Sequence, residues 1–334
     1  MSGSITAGTA PRSSTVVTRL PIPSWGIPTA GFAWLILAGA TLELPEAGDF
    51  PRTGFFAQGA GLVGLVLLPL GLAAGRLGTT GSRLRHWSPW LVALAVALLA
   101  WELVTAKFDL LPMPFFPPPQ AILEVFLEDW PKLGGSTLNS LILLAGGYTF
   151  GAGLGFVLGV AIGTFRAVGY WAHPVLRFVG PLPATAWLPL AFFVFPSSWS
   201  ASTFLVALAT GFPVTVLTWS GVAGVNKAYF DVARTLGASR AFLILRVAIP
   251  AALPHVFVGL FMGLGGSFAV LVVAEMLGVK SGLGWYLQWA QGWAAYANMY
   301  AALIVMALMC SSLITLLFRL RDRLLAWQKG LVQW

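Results

Sequence analysis

Residue types that commonly do chemistry are scarce in this chain, and their spacing argues against most catalytic and metal sites. The one cysteine, Cys310, lies inside an apolar run, so the chain supplies neither an internal disulfide nor a cysteine-based metal site. The three histidines, at positions 86, 173 and 255, are far apart, and this separation argues against a metal cluster. Neither GxxxxGKS nor GxxxxGKT occurs, so the sequence has no phosphate-binding loop for nucleotide hydrolysis.

Several charged residues gather instead in one compact segment, residues 231–254, which reads DVARTLGASRAFLILRVAIPAALP. It follows a stretch, 178–226, that contains no Asp, Glu, Lys or Arg. Such a segment could be a simple connector between two apolar stretches. Its local signals are too specific for a connector, and we interpret it as a surface for recognising another molecule.

These signals predict two helical stretches joined by a tight turn. Asp231 is expected to cap the first helix or to lie in its first turn, where a negative charge favours the exposed amides. Gly237 is expected to end that helix as a left-handed residue. Ser239 is expected to cap the second stretch, and Pro250 and Pro254 are expected to break or kink the chain after it. The product would be a projecting knob that another protein can hold.

Composition indicates that most of the chain lies in lipid. Of its 334 residues 58% are hydrophobic and 9% charged, and the mean hydropathy is +0.84. Soluble domains carry about 25% charged residues, so a soluble core could not bury this much apolar surface. The sequence predicts an all-α polytopic membrane protein with eight spans, each near the roughly 20 residues that cross a bilayer. The spans are 26–44, 56–76, 88–107, 137–164, 172–195, 202–223, 256–278 and 297–318.

Positive charge indicates the orientation of these spans. With the N-terminus inside, 15 of the 19 Lys and Arg residues fall in inner segments, as cytoplasmic loops require. Both termini and residues 224–255 are then cytoplasmic, with 1–24 as a disordered tail and 326–334 as the C-terminal segment. The net charge of +8 is therefore interpreted as a topology signal, and no nucleic-acid partner is expected.

A proline-rich outer segment, 111–135, is expected to begin as an extended strand and to continue as a short amphipathic helix. Ile122, Val125, Phe126 and Trp130 recur there at helical spacing, with acidic residues between them. This pattern predicts a periplasmic helix that lies on the outer membrane face, with an ordinary solvated loop as the alternative.

Glycines at every fourth position predict close helix packing in the fourth span. Gly151, Gly155, Gly159 and Gly163 would form one smooth stripe, and small residues let a neighbouring helix approach closely in a membrane. A dinucleotide-binding fingerprint does not fit, because no strand precedes the glycines and their period stays at four.

The spacing within residues 231–250 carries a resemblance to a known family. DVA at 231–233 is followed by three residues, Gly237, nine residues and then VAIP at 247–250. This pattern resembles the EAA loop of permease subunits of ATP-binding-cassette importers, which reads Glu-Ala-Ala, three residues, Gly, nine residues, a hydrophobe, any residue, Leu and Pro. The departures, Asp for Glu, Val for the first Ala and Ile for Leu, are mild.

The resemblance covers about residues 111–325. PLPATAWLPLAFFVF (181–195) and LVVAEMLGVKSGLGWYL (271–287) are similar to segments of the nitrate/sulfonate/taurine branch of these permeases. The resemblance implies that the last six spans form a type I importer permease core, 86–325. Residues 25–85 would then be an added N-terminal pair of spans.

The resemblance implies a membrane-spanning permease subunit of an ATP-driven, binding-protein-dependent importer in the bacterial inner membrane. Two permease copies, as a homodimer, would form the pathway, and a periplasmic or lipoprotein solute-binding protein would deliver the solute. Two ATPase subunits would bind ATP and Mg, so this chain would be a transport subunit without catalytic residues, metal or cofactor of its own. The ATPase-docking coupling loop would comprise Asp231, Ala233, Arg234, Leu236, Gly237, Ala238, Ser239, Arg240 and Pro250.

Substrate passage is expected near a break in the fifth span, where Pro181 and Pro183 interrupt the helix. Irregular backbone at membrane depth is tolerated mainly where it lines a cavity, although a helix kinked for packing is the alternative. Glu275 is expected to act as a gate or inter-helix hydrogen bond, or else as a structural side chain that snorkels to the outer surface. The predicted pathway residues are Pro181, Pro183, Thr185, Trp187, Thr210, Thr215, Ser220 and Glu275.

The expected solute is a small anion of the nitrate, bicarbonate, sulfonate or taurine type. The alternative function is a stand-alone secondary transporter or channel. It would need charged groups or an inverted repeat within the core, and we detect neither in the sequence. A membrane scaffold without transport would have no use for residues 231–254, which we name the recognition segment.

Overall fold

The computed structural model describes residues 26–74 and 78–328, and the regular structure in these ranges is helical throughout. Seven of the described helices are long and apolar enough to cross a membrane, and a helix pair bent by 88° makes an eighth span if it is counted as one. The predicted all-α membrane protein is thereby confirmed. The predicted tail, 1–24, and the C-terminal residues from 329 onward lie outside the described residues.

Two compact units divide the chain between Asp109 and Leu110. Within the first unit, α1 packs against both α2 and α3, and α3 continues directly into a π-helical turn at Leu103–Lys107. The helices of this unit are α1 (Gly26–Glu43), α2 (Thr53–Leu72) and α3 (Gly78–Glu102).

The third helix lies in the first unit, whereas the sequence analysis grouped residues from 86 onward with the core. The indole Nε1 of Trp34 in α1 donates a hydrogen bond to the carbonyl oxygen of Leu91 in α3 at 3.1 Å. Lys107, buried at the end of the π turn, donates from Nζ to the carbonyl oxygen of Thr41 at 2.7 Å. These contacts join residues far apart in sequence, so hydropathy alone does not reveal them.

The second unit is built around α5, α8 and α11, which pack against one another. A 3₁₀ turn at Ala184–Trp187 precedes α7, and a π turn at Leu243–Ala248 joins α10 to α11. The helices of this unit are α4 (Pro119–Glu128), α5 (Trp130–Thr164), α6 (Arg166–Val179), α7 (Leu188–Val194), α8 (Ser198–Ala223), α9 (Lys227–Thr235), α10 (Arg240–Phe242), α11 (Ile249–Leu277), α12 (Leu283–Gly292) and α13 (Tyr296–Leu324).

The glycine stripe of α5 packs against α8, as its four-residue spacing predicts. A Cβ atom built on Gly155 would lie 2.6 Å from the carbonyl oxygen of Gly211. One built on Gly159 would lie 2.6 Å from the carbonyl oxygen of Thr215. Even alanine at either position would therefore push the two helices apart. Gly147 belongs to the same contact and was not recognised in the sequence.

The proline-rich segment 111–135 contains the start of a second helix as well as the expected short one. α4 follows the extended residue Pro118 (φ −70°, ψ 162°), and α5 begins almost at once, at Trp130. Ile122 and Val125 are buried, and α4 packs against α13. The apolar face of α4 thus covers protein. Trp130, expected on that face, instead opens α5 and is exposed.

Candidate functional site

The first helix of the recognition segment begins earlier than predicted. α9 starts at Lys227, and the side chain of Asn226 caps it by accepting a hydrogen bond from the amide of Ala228 at 3.0 Å. Asp231 therefore lies within the helix, where its carboxylate is 3.4 Å from the Arg234 guanidinium. This pair is exposed and contributes little stability. The signal for the earlier start was Asn226 itself, since Asn is among the strongest N-caps.

The predicted left-handed glycine turn follows α9. Gly237 adopts φ +79°, and its amide donates to the carbonyl oxygen of Arg234 at 2.9 Å. The amide of Ala238 donates to the carbonyl oxygen of Ala233 at 3.0 Å. Together these bonds form a Schellman motif, which pairs carbonyl groups that a helix end otherwise leaves without partners.

Ser239 caps the second helical stretch as predicted, because its Oγ accepts a hydrogen bond from the amide of Phe242 at 3.3 Å. Of the predicted break or kink at Pro250 and Pro254, the break does not occur, since Arg240–Leu277 is one continuous helical stretch, and the kink stays a prediction. Proline removes an amide donor and crowds the preceding turn. Pro250 is the second residue after the π turn, whose wider hydrogen-bond register accommodates this defect.

We name residues 226–250 the knob, and α9 within it presents two different faces. One face carries Tyr229, Val232 and Leu236, which are 61%, 61% and 83% exposed. These side chains border a cavity of about 750 Å³, the apolar cavity, whose lining also includes one cation, Arg246. Tyr229 and Val232 were not among the predicted docking residues. Their spacing with Leu236, i, i+3 and i+7, was the signal that could have identified them.

The other face of α9 carries Lys227 and Arg234 and borders a cavity of about 740 Å³, the basic cavity. Arg166 at the start of α6 and Arg240 at the start of α10 also line it. Successive helix residues advance by about 100°, so Lys227 and Tyr229 point in nearly opposite directions. One short helix therefore separates an apolar surface from a cationic one.

α6 and α7 form the predicted break in the fifth span, and their axes are bent by 88°. A cavity of about 310 Å³ opens beside the break, and Pro183 and Thr185 line it together with residues of α8 and α11. Trp187 is half-buried, and its indole N–H has no hydrogen-bond partner among the described residues. Pro181 is exposed next to this cavity. Irregular backbone and a cavity thus coincide inside a span, as expected.

Three other predicted pathway residues do not line this cavity. The buried Thr210 hydroxyl donates to the carbonyl oxygen of Val206 at 2.9 Å. The buried Thr215 hydroxyl donates to the carbonyl oxygen of Gly211 at 2.7 Å. Bonds to the preceding turn satisfy both hydroxyls within α8, which is typical of packed threonines in membrane helices. Ser220 is exposed near the end of α8.

Glu275 is 1% exposed and connects three helices. Its two carboxylate oxygens accept from the Ser140 hydroxyl in α5, at 2.7 and 2.9 Å. One oxygen also accepts from the amide of Gly284 in the first turn of α12, at 2.8 Å. The amide of Leu283 donates to the Ser140 hydroxyl at 2.8 Å. The expected inter-helix hydrogen bond is present, and the snorkelling alternative is wrong because the carboxylate is buried.

We name Ser140, Glu275, Gly282, Leu283 and Gly284 the Glu275 cluster. Gly282 immediately precedes α12 with φ +100°, and a Cβ atom there would overlap the Glu275 carboxylate. The sequence analysis did not recognise Ser140, which lies 135 residues from Glu275 in the chain. The available signal was the pair of glycines that follows soon after the acid.

A second polar cluster holds the other side of α12. The Tyr286 hydroxyl donates to the Asp129 carboxylate at 2.5 Å, and the Asn298 amide of α13 donates to the same oxygen at 3.1 Å. Burial, followed by the hydrogen bond to Asp129, raises the pKa of the Tyr286 phenol above its usual range. The Lys132 Nζ lies over the ring of Trp289, 2.8 Å from its centre. α12 is thus attached to α5, α11 and α13.

Residues 151–329 match the family model described as "Binding-protein-dependent transport system inner membrane component". The chain belongs to this family. The matched range includes the knob, the break of the fifth span and most of the Glu275 cluster. The resemblance inferred from residues 231–250 is therefore confirmed at the level of the family.

The matches to individual relatives extend over most of the length of those relatives. The taurine transport system permease protein TauC of Escherichia coli is 32% identical over 245 residues, which cover 70% of this chain and 87% of that protein. The nitrate import permease protein NrtB of Synechococcus elongatus is 28% identical over 262 residues, which cover 75% and 91%. An inward-facing structure of the MetNI methionine ABC transporter matches with 14% identity and a TM-score of 0.47, over 55% of this chain and 92% of that one.

Proposed function

We propose that this chain is the membrane-spanning permease subunit of an importer that uses ATP hydrolysis on a separate subunit and receives its solute from a binding protein. Family membership supports this function, because relatives of the chain are permeases named for taurine and nitrate transport. The observation that carries the proposal within this molecule is the knob, whose backbone is held by local hydrogen bonds and whose exposed face carries Tyr229, Val232 and Leu236.

The knob is proposed as the docking site of the ATPase. Tyr229, Val232 and Leu236 form a contiguous exposed apolar face, and such faces are typical of protein interfaces. The Schellman turn at Gly237 and the cap at Ser239 fix the backbone without help from a partner, so little conformational entropy is lost on binding. The other proposed docking residues are Asp231, Ala233, Arg234, Ala238, Arg240 and Pro250.

The helix that follows the knob supplies a mechanical connection to the membrane core. Arg240–Leu277 is continuous and packs against α8 through much of its length. A displacement of the knob would therefore move this long helix as one element. ATP and Mg, bound on the ATPase, would bias the permease between two conformations, as any ligand with differential affinity for two states does.

The proposed pathway follows the break between α6 and α7 and is completed by a second copy of this chain. Pro183 and Thr185 line the cavity at the break, whereas Trp187, also proposed for the pathway, has a buried indole N–H and does not line it. The residues that line this cavity carry no charge. We propose a small anion of the nitrate, bicarbonate, sulfonate or taurine type as the solute, selected largely by the binding protein.

The proposed location is the bacterial inner membrane, with both termini and the knob in the cytoplasm. The distribution of Lys and Arg supports this orientation, because 15 of the 19 would lie on the cytoplasmic side. The solute-binding protein would then meet the opposite side of the second unit, where α4 and α12 lie.

Copurification tests the proposal. The tagged chain, extracted in gentle detergent, is expected to bring down an ATP-binding-cassette ATPase with measurable ATP hydrolysis. Leu236→Asp places a charge in the exposed apolar face and is expected to reduce the captured ATPase about tenfold or more. Leu236→Met conserves volume and polarity, and it should behave like the original chain. Recovery of the unsubstituted chain without an ATPase would contradict the proposal and favour a stand-alone secondary transporter.

A further inference from the structure

The basic cavity lies on the face of α9 opposite to the exposed apolar face, and only Arg234 and Arg240 of its lining belong to the proposed docking residues. Arg166, Lys227, Arg234 and Arg240 line it, and no carboxylate does. Arg234 pairs with Asp231 at 3.4 Å. Within residues 26–74 and 78–328, the other three cations have no ion-pair partner. The cavity therefore holds an excess of positive charge.

The floor of the basic cavity lies at the ends of two membrane-spanning helices. α5 ends at Thr164 and α8 at Ala223, and both residues line the cavity. Both helices are long and apolar enough to span a bilayer. Lipid headgroups lie at the level where spans end. Val222, Phe230 and Ile244 add apolar side chains to the lining of the cavity.

We propose that the basic cavity binds the phosphate group of an anionic membrane phospholipid. Arginine guanidinium groups pair with phosphate oxygens in a bidentate manner, and a lysine adds a mobile point charge. Basic pockets at the cytoplasmic ends of spans suit such headgroups, and the apolar side chains of the lining suit the adjoining glycerol and acyl carbons. A cavity that combines cations with apolar side chains at headgroup depth fits a lipid better than a freely diffusing anion.

Bound lipid would also connect the membrane surface to the knob. Lys227 and Arg234 belong to α9, whereas Arg166 belongs to α6, so one phosphate would bridge the two helices. This bridge would hold α9 in the orientation that presents its apolar face. The effect on the ATPase rests on the proposed function, whereas lipid binding itself does not.

Native mass spectrometry of the full chain tests the proposal directly. The purified protein is loaded with equal amounts of phosphatidylglycerol and phosphatidylcholine, and the retained lipids are counted. The test variant is Arg166→Gln/Lys227→Gln, which removes two cations outside the proposed docking list. The matched control is Arg319→Gln/Arg323→Gln, which removes two exposed cations near the end of α13 that do not line the cavity.

The original chain and the control should retain phosphatidylglycerol in preference to phosphatidylcholine. The ratio of retained phosphatidylglycerol to retained phosphatidylcholine should fall about tenfold in the test variant and about threefold in Lys227→Gln alone. An equal concentration of soluble glycerol phosphate should not displace the lipid. If these results hold while no ATPase copurifies with the original chain, lipid binding stands and the proposed function fails.

Three outcomes would overturn the lipid proposal. Equal retention of both lipids by the original chain, or equal loss in test and control variants, would show that no specific headgroup site exists. Displacement by glycerol phosphate would indicate a site for soluble anions. Unchanged lipid retention with loss of the captured ATPase in the test variant would assign these cations to an acidic protein surface instead.

Discussion

The knob and the Glu275 cluster each hold one short helix of the second unit, α9 and α12. The backbone hydrogen bonds at the ends of these two helices are satisfied in opposite ways. In the knob, Gly237 and Ser239 close the hydrogen bonds between near neighbours in sequence and leave Leu236 exposed. In the cluster, Glu275 and Ser140 belong to other helices and accept hydrogen bonds from the backbone amides of α12. Both side chains are buried.

This difference distinguishes a region suited to binding a partner, the knob, from a region that maintains the fold, the Glu275 cluster. A segment whose backbone is satisfied locally keeps its shape without tertiary contacts, so its outer surface stays available for a partner. A segment whose amides depend on distant side chains is fixed within the fold and loses its position when one of them changes. Substitutions in the knob should therefore alter partner binding, whereas substitutions in the cluster should alter stability.

The largest loss of stability is expected when two glycines with positive φ are substituted and compared. Gly282→Ala should destabilise the protein by about 3 kcal/mol or more, because the conformation disfavours a side chain and the new Cβ would overlap the Glu275 carboxylate. Gly237→Ala should cost about 1 kcal/mol, because φ is positive there but nothing lies within 4 Å of the new Cβ. Thermal unfolding in detergent, followed by tryptophan fluorescence, measures both. Equal losses would remove the distinction between the regions.

A smaller effect is expected when the carboxylate itself changes. Glu275→Ala should cost about 2–3 kcal/mol, because it leaves the Gly284 amide and the Ser140 hydroxyl without their acceptor. Glu275→Gln retains one acceptor oxygen and should cost about 1 kcal/mol. The same unfolding assay applies, together with solute uptake into cells. Unchanged unfolding with abolished uptake in Glu275→Gln would show a gating role in place of the architectural one.

The smallest effect is expected at the exposed ion pair of the knob. Asp231→Asn should change the free energy of unfolding by no more than about 0.5 kcal/mol, because the carboxylate lies 3.4 Å from Arg234 in an exposed pair. Arg234→Gln is the matched change on the other side of the pair. A loss above about 1 kcal/mol in either variant would mean that the knob depends on tertiary contacts after all.

Local rules explain why much of the knob could be predicted from the sequence. The left-handed Gly237 and the Ser239 cap depend on neighbouring residues, and the break of the fifth span follows from its prolines. The same kind of rule, applied to Asn226, would have placed the start of α9 correctly.

Long-range contacts explain what the sequence did not reveal. Ser140 meets Glu275 across 135 residues, and Tyr286 meets Asp129 across 157. No periodicity or cap rule connects such residues. The helix likewise continues through Pro250 after a π turn, which no periodicity or cap rule indicates. The Lys107 contact with Thr41, which helps to place α3 in the first unit, is of the same long-range kind.

Site-directed cross-linking tests most directly whether the apolar face of the knob is the docking surface. Cys310 is the one native cysteine, so Cys310→Ser provides a background for single new thiols. Leu236→Cys on the apolar face and Lys227→Cys on the basic face are compared after treatment with a short thiol–amine cross-linker. The account predicts an efficient cross-link from position 236 to the copurifying ATPase and little from position 227. Equal cross-linking from both, or cross-linking from position 227 alone, would contradict it.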